Sequence, residues 1–477
     1  MRSALVLIVA LFVGPAFSQT LLIEHVALVD PVAARIVPNS DILIRDGRVI
    51  AIGHSTAAPE GAVTIDGTGQ FAIPGLWDMH FHLTLPDVQF PMLIANGVTG
   101  IRDMYSGVPL ASIRRWATRE DAPRVVTPGF ADGPLLLTSG PLRPNAVAIE
   151  NRAQAALAVQ LFQNRGLDFI KVYSGLPRDA FLGLMQSAKA MGMTVAGHVP
   201  EEVSPLEASQ AGMRSQEHLN NLLLAASSNE EKLRVDRVAL MYNPKLTAEA
   251  RLRLLAWPLP EGLFDTYDNA KAAALFRAFV QNGTWQTPTL SLLSGYVQQP
   301  TLAFRNDARQ NLLPKAWRDN WDYHKATFFA DMAETEYMAL RDRMQDLLNR
   351  YLVLVGQMHA AGVGLLAGTD ANGFNPVYPG YGLHEELSLF VASGLTPAAA
   401  LATATSNPAR YFNKPEWGAI EAGSAADIVL LDGNPLEDIY NTEKIRSVIL
   451  RGQYYSRQDL DAMLKKAADV AAAIPVN

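Results

Sequence analysis

The amino-acid sequence predicts an α/β protein with a (β/α)8 TIM-like barrel, a small β-sandwich domain formed from both chain ends, and a helical insertion. Three observations predict this fold. Apolar strand-like runs alternate with helical stretches through the middle of the chain, as in a parallel sheet covered by helices. Short β-rich runs with turn residues occur at both ends. Histidines and an aspartate follow the central runs, where a barrel places its functional groups.

The two chain ends carry the pattern of a small antiparallel sheet. Residues 41–44 and 49–52 lie on either side of a turn at Asp46-Gly47, and residues 427–431 and 447–450 repeat the pattern near the other end. Neither end has enough strand for a stable sheet of its own. We therefore predict that residues 19–73 and 415–456 pair into one β-sandwich domain.

The barrel is predicted over residues 74–414. Its candidate strands are residues 93–103, 124–127, 169–173, 194–198, 214–218 and 364–370, and its candidate helices are residues 153–165 and 177–191. A barrel of this type absorbs about 250 residues or more as one unit. One barrel therefore accounts for most of the 477 residues of the chain.

One segment is too long for a simple strand–helix repeat. Residues from about 220 to 355 are mostly helical, with one apolar break at 284–290. We predict a helical insertion near the barrel mouth, and a lid is one hypothesis for it. A structural decoration, or a contact between copies in a homo-oligomer, is the alternative. Residues 457–477 are predicted to form a C-terminal amphipathic helix and tail.

The bulk composition limits the classes of function. The formal net charge of −7 argues against nucleic-acid binding, because a nucleic-acid binder needs a basic face to neutralise phosphates. The absence of cysteine excludes disulfides, thiolate nucleophiles and Cys-ligated zinc. A metal would therefore need His, Asp, Glu or lysine-derived ligands, and the expected partner is a small-molecule substrate.

The first 18 residues have the pattern of a secretory signal peptide. Arg2 precedes an apolar run at residues 4–13, and Ala16-Phe17-Ser18 supplies a small-residue cleavage site. The run is shorter than the roughly 20 residues needed to span a bilayer, so cleavage near Ser18-Gln19 is favoured over a membrane anchor. We expect a periplasmic or secreted protein with no stable membrane anchor after cleavage.

The pair His80 and His82 is the first chemical signal. If residues 76–82 form a strand, side chains alternate and both imidazoles point to the same face. Two neutral imidazoles at a strand end form the start of a metal site. A His-x-His pair alone is a weak motif, since solvated or core histidines are commoner.

Lys171 lies inside the otherwise apolar run Phe169-Ile170-Lys171-Val172-Tyr173. A buried lysine cation is costly to desolvate, so the position needs an explanation. Three readings are open. The side chain is a Schiff-base lysine of lowered pKa, a lysine carboxylated by CO2 that bridges metals, or a structural cation that reaches an acidic partner.

Other polar residues end the following strand-like runs. His198 and His218 each close a run, and Asp370 follows the run at 365–369, so that four of the nine histidines and a carboxylate meet at the barrel's functional face. His384 opens a helix near Asp370 and is a candidate for substrate contact. A solvated histidine at a helix end is the equally weighted alternative.

Together these residues resemble the amidohydrolase superfamily, over nearly the whole mature chain. The resemblance rests on Pro74-Gly75 with His80-Phe81-His82, on Lys171, His198 and His218, on Gly368-Thr369-Asp370, on Ser406-Asn407-Pro408-Ala409, and on the return strand at 423–429 with Asp432-Gly433-Asn434-Pro435. Within the superfamily the chain is similar to the imidazolonepropionase-like and prolidase-like (Xaa-Pro dipeptidase-like) branch.

The resemblance implies a binuclear site, with two divalent ions, usually Zn²⁺. It implies His80, His82 and Asp370 on one ion, His198 and His218 on the other, and a carboxylated Lys171 as the bridge. It also implies that Asp370 acts as the proton acceptor and that Tyr173 polarises the scissile carbonyl. The implied reaction is cleavage of an amide bond, as in a dipeptide or N-acyl amino acid, by a metal-bridging hydroxide.

Rival activities stay open on the sequence. They are a one-metal cyclic amide or imidate hydrolase or deaminase, a lactonase or phosphotriesterase at the same site, a binding protein on an inactive barrel, and a Schiff-base lyase through Lys171. Some dipeptidases of the branch carry Thr-Gly-Gly-His after the third strand, where this chain has Thr138-Ser139-Gly140-Pro141. This departure and the long insertion argue against assuming a dipeptide substrate.

Overall fold

The computed structural model describes residues 20–134, 144–219, 221–247, 263–322, 325, 329 and 332–475. The predicted signal peptide and the stretch at 138–141 lie outside these residues. None of the helices in the described ranges is long and apolar enough to cross a membrane.

The described strands, in chain order, are β1 (Leu21–Asp30), β2 (Arg35–Arg45), β3 (Arg48–Gly53), β4 (Val63–Asp66), β5 (Phe71–Pro74), β6 (Leu76–Phe81), β7 (Val98–Asp103), β8 (Arg124–Val126), β9 (Pro128–Asp132), β10 (Ala146–Ala148), β11 (Phe169–Val172), β12 (Val195–Gly197), β13 (Ser215–Glu217), β14 (Trp285–Thr287), β15 (Ile428–Leu431), β16 (Ile445–Leu450) and β17 (Gln453–Ser456).

The described helices are α1 (Pro86–Ala95), α2 (Leu110–Ala117), α3 (Arg152–Asn164), α4 (Arg178–Met191), α5 (Pro205–Gln210), α6 (Leu222–Ala225), α7 (Glu230–Met241), α8 (Asn269–Asn282), α9 (Leu290–Gln298), α10 (Leu302–Arg305), α11 (Lys315–Asn320), α12 (Glu334–Ala360), α13 (Tyr381–Ala392), α14 (Pro397–Thr403), α15 (Ser406–Phe412) and α16 (Arg457–Ala473). Short 3-10 turns lie at Phe264–Thr266, Ala308–Leu312, Pro415–Trp417 and Ile439–Glu443.

Strands from the two chain ends form one mixed sheet of eight strands, in the order β17-β16-β15-β5-β1-β2-β3 with β4 beside β1. The ends meet where β15 pairs antiparallel with β5, for example Val429 with Ile73. Apolar side chains on one face of this sheet, including Ile23, Ile42 and Leu430, are buried in one cluster. Those on the other face, including Ile73 and Val429, belong to the main core. The predicted pairing of the two ends is confirmed, and the two-layer sandwich stays a prediction.

The central strands are parallel and form a TIM-barrel-like arrangement. Two sheets are present, β6-β7-β8 and β10-β9-β11-β12-β13-β14. Only Thr127 separates β8 from β9, so one stretch of chain contributes to both sheets. On the opposite side, single parallel bridges join Gln286 to Leu365 and Phe81 to Ala371. The described ladders do not form one continuous ring, so the closed eight-stranded barrel stays a prediction.

The segment at 364–371 therefore runs between β14 and β6, although it forms bridges rather than the predicted strand. Its contact with β6 is close, since a Cβ at Gly368 would lie 2.7 Å from the backbone nitrogen of His80. A glycine is needed there, because a side chain would separate the two stretches of backbone. This close contact brings Asp370 next to the histidines of β6.

Two boundaries differ from the sequence prediction. Residues 93–95 end helix α1 instead of starting a strand, and Gly97, with φ +70°, turns the chain into β7. The predicted insertion at 220–355 is divided by β14, which pairs parallel with β13 through Ser215 and Trp285. Helices α6, α7 and α8 therefore lie in the crossover between two parallel strands. Among the described residues, helices α9 to α12 lie between β14 and the segment at 364–371, and we call these helices the insertion.

The C-terminal helix was predicted correctly. Helix α16 begins at a capping box, in which the Ser456 hydroxyl accepts from the Asp459 amide and the Asp459 carboxylate accepts from the Ser456 amide. Its residue Ala471 is buried with Val88 and Met92 of helix α1. The helix therefore covers the side of the barrel-like domain next to β6.

Candidate metal centre

His80 and His82 lie at the carboxyl end of β6, on the same side of the strand as predicted. His80 Nε2 is 3.4 Å from Asp370 Oδ1, and His82 Nε2 is 2.8 Å from the same oxygen. One ligand atom from each of the three residues lies within 4.8 Å of the other two. The spacing of these three side chains suits a common metal ion.

His198 and His218 join this group from the next strands of the parallel sheet. They follow β12 and β13 directly, so the carboxyl ends of neighbouring strands bring them together. The ring centroid of His218 is 4.4 Å from that of His80 and 4.7 Å from that of His198. All four predicted histidines and Asp370 therefore surround one centre.

Each of the four imidazoles is anchored through its Nδ1 atom. The partners are Glu217 Oε2 for His80 at 2.9 Å, Tyr105 O for His82 at 2.6 Å, Ser174 Oγ for His198 at 2.9 Å and Thr289 Oγ1 for His218 at 2.7 Å. Such anchoring fixes the ring and leaves Nε2 as the ligand atom. The buried Nε2 of His80 has no hydrogen-bond partner within the described part of the chain. The four anchored imidazoles, together with the Asp370 carboxylate, fit a divalent cation.

Burial keeps most of these rings neutral, which is the form that binds metal. The pKa values of His80 and His198 lie well below the usual range because of burial and, next, the nearby Lys171 cation. Burial lowers the pKa of His218 to about 3. For His82, burial is the largest influence and also lowers the pKa, but the hydrogen bond to Asp370 and the negative charge of that carboxylate together outweigh it, so the pKa is raised.

Lys171 lies in β11, and only 2% of its surface is exposed. Burial lowers the pKa of its amine to about 8, although Glu217 and Asp370 act in the opposite direction. Among the described residues, no carboxylate forms an ion pair with its ammonium group. The described residues therefore give no support to the interpretation of Lys171 as a structural cation paired with a carboxylate.

The sequence interpretation missed the acidic and basic residues beneath the histidines. Arg102 in β7 is fully buried and donates from Nη2 to both carboxylate oxygens of Glu217, each at 2.9 Å. Glu217 in turn accepts from His80 Nδ1. Both residues are charged side chains inside buried strands, the same signal that drew attention to Lys171. A search for charged residues inside predicted strands would therefore have identified Arg102 and Glu217.

Asp78 is a third missed residue, and it connects β6 to the segment that carries Asp370. Its Oδ2 accepts from the Thr369 hydroxyl at 2.6 Å, and its Oδ1 accepts from the backbone amides of Thr369 and His80 at 3.0 and 3.1 Å. Burial raises its pKa to about 7. These bonds fix the positions of His80 and Asp370 relative to each other.

Tyr173 lies beside the centre, with its ring centroid 4.0 Å from that of His198. Phe130 lies 5.7 Å from Tyr173 and stacks on Tyr105 at 4.2 Å, so three aromatic rings form a row that ends at His198. Burial raises the pKa of Tyr173, which keeps its hydroxyl protonated as a hydrogen-bond donor. The contact of this hydroxyl with a substrate carbonyl stays a prediction.

His384 does not have the predicted role. Only 3% of its surface is exposed, and its two ring nitrogens lie 3.0 Å from Thr442 Oγ1 and 3.1 Å from the Asn96 carbonyl oxygen. Both nitrogens are therefore occupied by structural partners, and the ring is neither solvated nor free for a substrate. The sequence places His384 near the start of a helix but does not show that Thr442 and Asn96 surround its ring.

Removal of one ring anchor should weaken metal binding. In Ser174→Ala, the Nδ1 atom of His198 loses its partner at 2.9 Å. We expect about a tenfold or greater loss of zinc affinity, as is typical when a partner of a metal-ligating histidine is removed. Competition with a chromophoric chelator measures the affinity, and Ser228→Ala, at an exposed serine, is the control. Equal affinity in both variants would contradict the assigned anchoring role.

The neutral His384 makes stability depend on pH. Burial lowers its pKa to about 4, whereas an unfolded histidine has a pKa of about 6.5. Above pH 6.5 the ring is neutral in both states and does not affect the free energy of unfolding. Between pH 6.5 and 4 only the unfolded state binds the proton, so the free energy of unfolding falls by about 1.4 kcal/mol per pH unit. In urea unfolding between pH 7.5 and 4.5, His384→Gln should show a shallower pH dependence than the wild type. The exposed-site variant His25→Gln should follow the wild type, and parallel curves for all three would refute this assignment.

Comparison with known proteins identifies the family. The family model described as "Amidohydrolase family" matches residues 71–454. Over 79 residues the chain is 44% identical to a dihydroorotase of Citrifermentans bemidjiense, a match that covers 17% of this chain and only 18% of that enzyme.

Two solved structures share the fold over most of the chain. A bottromycin amidohydrolase superposes with a TM-score of 0.68 at 22% identity, covering 95% of this chain and 90% of that one. A Xaa-Pro dipeptidase with bound methionine superposes with a TM-score of 0.62 at 18% identity, covering 92% of this chain and 100% of the other. The likeness to both shows the fold, and the family match spans most of the sequence. The chain belongs to the amidohydrolase family of hydrolases.

Proposed function

We propose that this amidohydrolase uses two divalent metal ions to cleave an amide bond of a small molecule, such as a dipeptide or an N-acyl amino acid. The observation that best supports this proposal is the group of four histidines, each anchored through Nδ1, that surrounds Asp370. Next to this set lies Lys171, a buried amine with no ion-pair partner among the described residues. One metal ion would leave the lysine without a role.

We assign His80, His82 and Asp370 to one cation and His198 and His218 to the other. The geometry of the first three supports their grouping. Nitrogen and carboxylate ligands suit zinc. In this proposal the neutral amine of Lys171 attacks CO2, which forms an N–C bond and releases one proton. The resulting carbamate would be an anion that offers two oxygen ligands to divalent cations.

Bound divalent ions would supply Lewis acidity and lower the pKa of a water molecule. The remaining steps belong to residues of the chain. Asp370 accepts the proton of the attacking water and passes it to the leaving amine. The protonated hydroxyl of Tyr173, beside His198, donates a hydrogen bond to the carbonyl oxygen as negative charge develops there.

Hydrolysis of a cyclic amide is the second candidate. The match to dihydroorotases, 44% identical over 79 residues for one of them, favours this class of substrate. In this candidate one metal ion suffices, and Lys171 need not be carboxylated. The two candidates differ in the substrate and in the need for two metals.

A substrate panel tests the proposed activity directly. Zinc-loaded protein would be incubated with N-acyl amino acids, dipeptides, cyclic amides and lactones, and the products would be separated by mass spectrometry. We expect turnover of at least one linear amide and loss of that turnover on chelation. Turnover of cyclic amides alone would favour the second candidate. Turnover of lactones alone would contradict amide hydrolysis.

Lys171→Ala tests the two-metal arrangement. We expect the wild type to hold two zinc ions per chain and the variant to hold one or fewer, because the bridging anion is missing, with activity reduced at least about a hundredfold. Elemental analysis after gel filtration gives the stoichiometry. Lys189→Ala, at an exposed lysine of helix α4, is the matched control. A Lys171→Ala variant with two metals and full activity would rule out the lysine bridge.

A further inference from the structure

We propose that Asn375 is a positioning residue for Asp370 and that the helical insertion holds Asn375 in place. The inference rests on the proposed function, since it assigns the Asp370 carboxylate to a metal and to proton transfer. In this proposal the insertion is more than a lid. A lid controls access to the site, whereas the insertion would also position Asp370, the proposed proton acceptor.

Asn375 contacts Asp370 through two hydrogen bonds from one amide group. Its Nδ2 donates to Asp370 Oδ2 at 2.9 Å and to the Asp370 carbonyl oxygen at 3.1 Å. The other carboxylate oxygen, Oδ1, faces His80 and His82. Asp370 also has a φ of +57°, a conformation that few non-glycine residues adopt. The amide therefore fixes both the backbone and the carboxylate of a strained residue.

Tyr296 determines which way the Asn375 amide points. Its hydroxyl, on helix α9, donates to Asn375 Oδ1 at 2.9 Å. The carbonyl side of the amide is thus occupied, and the NH2 side faces Asp370. A carboxylate can only accept, so this orientation is the one that gives hydrogen bonds on both sides. Tyr296, Asn375 and Asp370 form a continuous chain from the insertion to the metal centre.

Other residues of the insertion contact the loop at residues 372–375, which contains Asn375. Trp321 Nε1 donates to the Gly373 carbonyl oxygen at 3.0 Å, and Asn320 Nδ2 donates to the Phe374 carbonyl oxygen at 2.6 Å. The Trp317 indole packs so closely that a Cβ at Gly373 would lie 2.2 Å from it. Phe374 itself is 62% exposed, so the loop has few contacts of its own on that side. The hold on the loop comes largely from helix α11 and the residue after it.

Three variants test the chain of contacts link by link. Asn375→Ala removes the amide, Tyr296→Phe removes one hydroxyl, and Trp321→Phe removes one N–H group while keeping an aromatic ring. We expect about a tenfold loss of zinc affinity and a lower kcat with little change in KM for Asn375→Ala, with smaller losses for the other two. The visible spectrum of the Co²⁺-loaded protein should shift in the same order.

Controls separate positioning from general destabilisation. Asn306→Ala and Tyr440→Phe alter exposed residues of the same types and should match the wild type. Thermal unfolding of the metal-free variants should also match it. If Asn375→Ala does not fold, the two variants that delete a single polar group decide the question.

Three outcomes would overturn the inference. Unchanged zinc affinity and Co²⁺ spectra in the three variants, with a wild type that binds metal and hydrolyses amides, would overturn the positioning role alone. So would a rise in KM without change in kcat, which would indicate that the insertion acts on the substrate. A wild type that takes up no metal would overturn the proposed function together with this inference.

Discussion

The geometry of the candidate metal centre depends on the buried pair formed by Arg102 and Glu217. Both side chains are completely buried, and two hydrogen bonds of 2.9 Å join them. Burial of two charges is costly unless every donor and acceptor is satisfied. Arg102 meets this condition with further bonds to the Met79 carbonyl oxygen and the Ser215 hydroxyl. The pair thus links β6, β7 and β13 and orients His80 from below.

Above this pair, burial determines the chemical state of the ligands. Desolvation lowers the pKa values of His80, His198 and His218, so these rings are neutral and ready to bind a cation. The same desolvation favours the neutral amine of Lys171. A parallel sheet whose strand ends converge supplies both conditions at once, because it buries the side chains and points them at one place.

The site could be predicted from the sequence where the signal was a polar residue after an apolar strand. His198, His218 and Asp370 were found in this way, His80 and His82 by their alternation on one strand, and Lys171 as a charged residue inside an apolar strand. Glu217 was overlooked because it precedes a more conspicuous histidine. Asn375 lies in a loop with no periodicity, and only its contacts in three dimensions reveal its place. His384 was misjudged because its partners, Asn96 and Thr442, are far from it in sequence.

The fold could be predicted at the level of alternating strands and helices and of paired chain ends, but not in its boundaries. Strand β14 has three residues, so the sequence shows it only as an apolar break within the predicted insertion and not as a strand of the barrel. The segment at 364–371 forms bridges and not a ladder, since its place is fixed by β6 and β14 and not by its own propensity. Tertiary contacts decided both cases.

X-ray diffraction from zinc-loaded crystals, recorded above and below the zinc absorption edge, tests the central claim most directly. We expect two anomalous peaks, one against His80, His82 and Asp370 and the other against His198 and His218. We also expect extra density for a carbamate on Lys171 Nζ between them. A single anomalous peak next to an unmodified lysine would contradict the two-metal account.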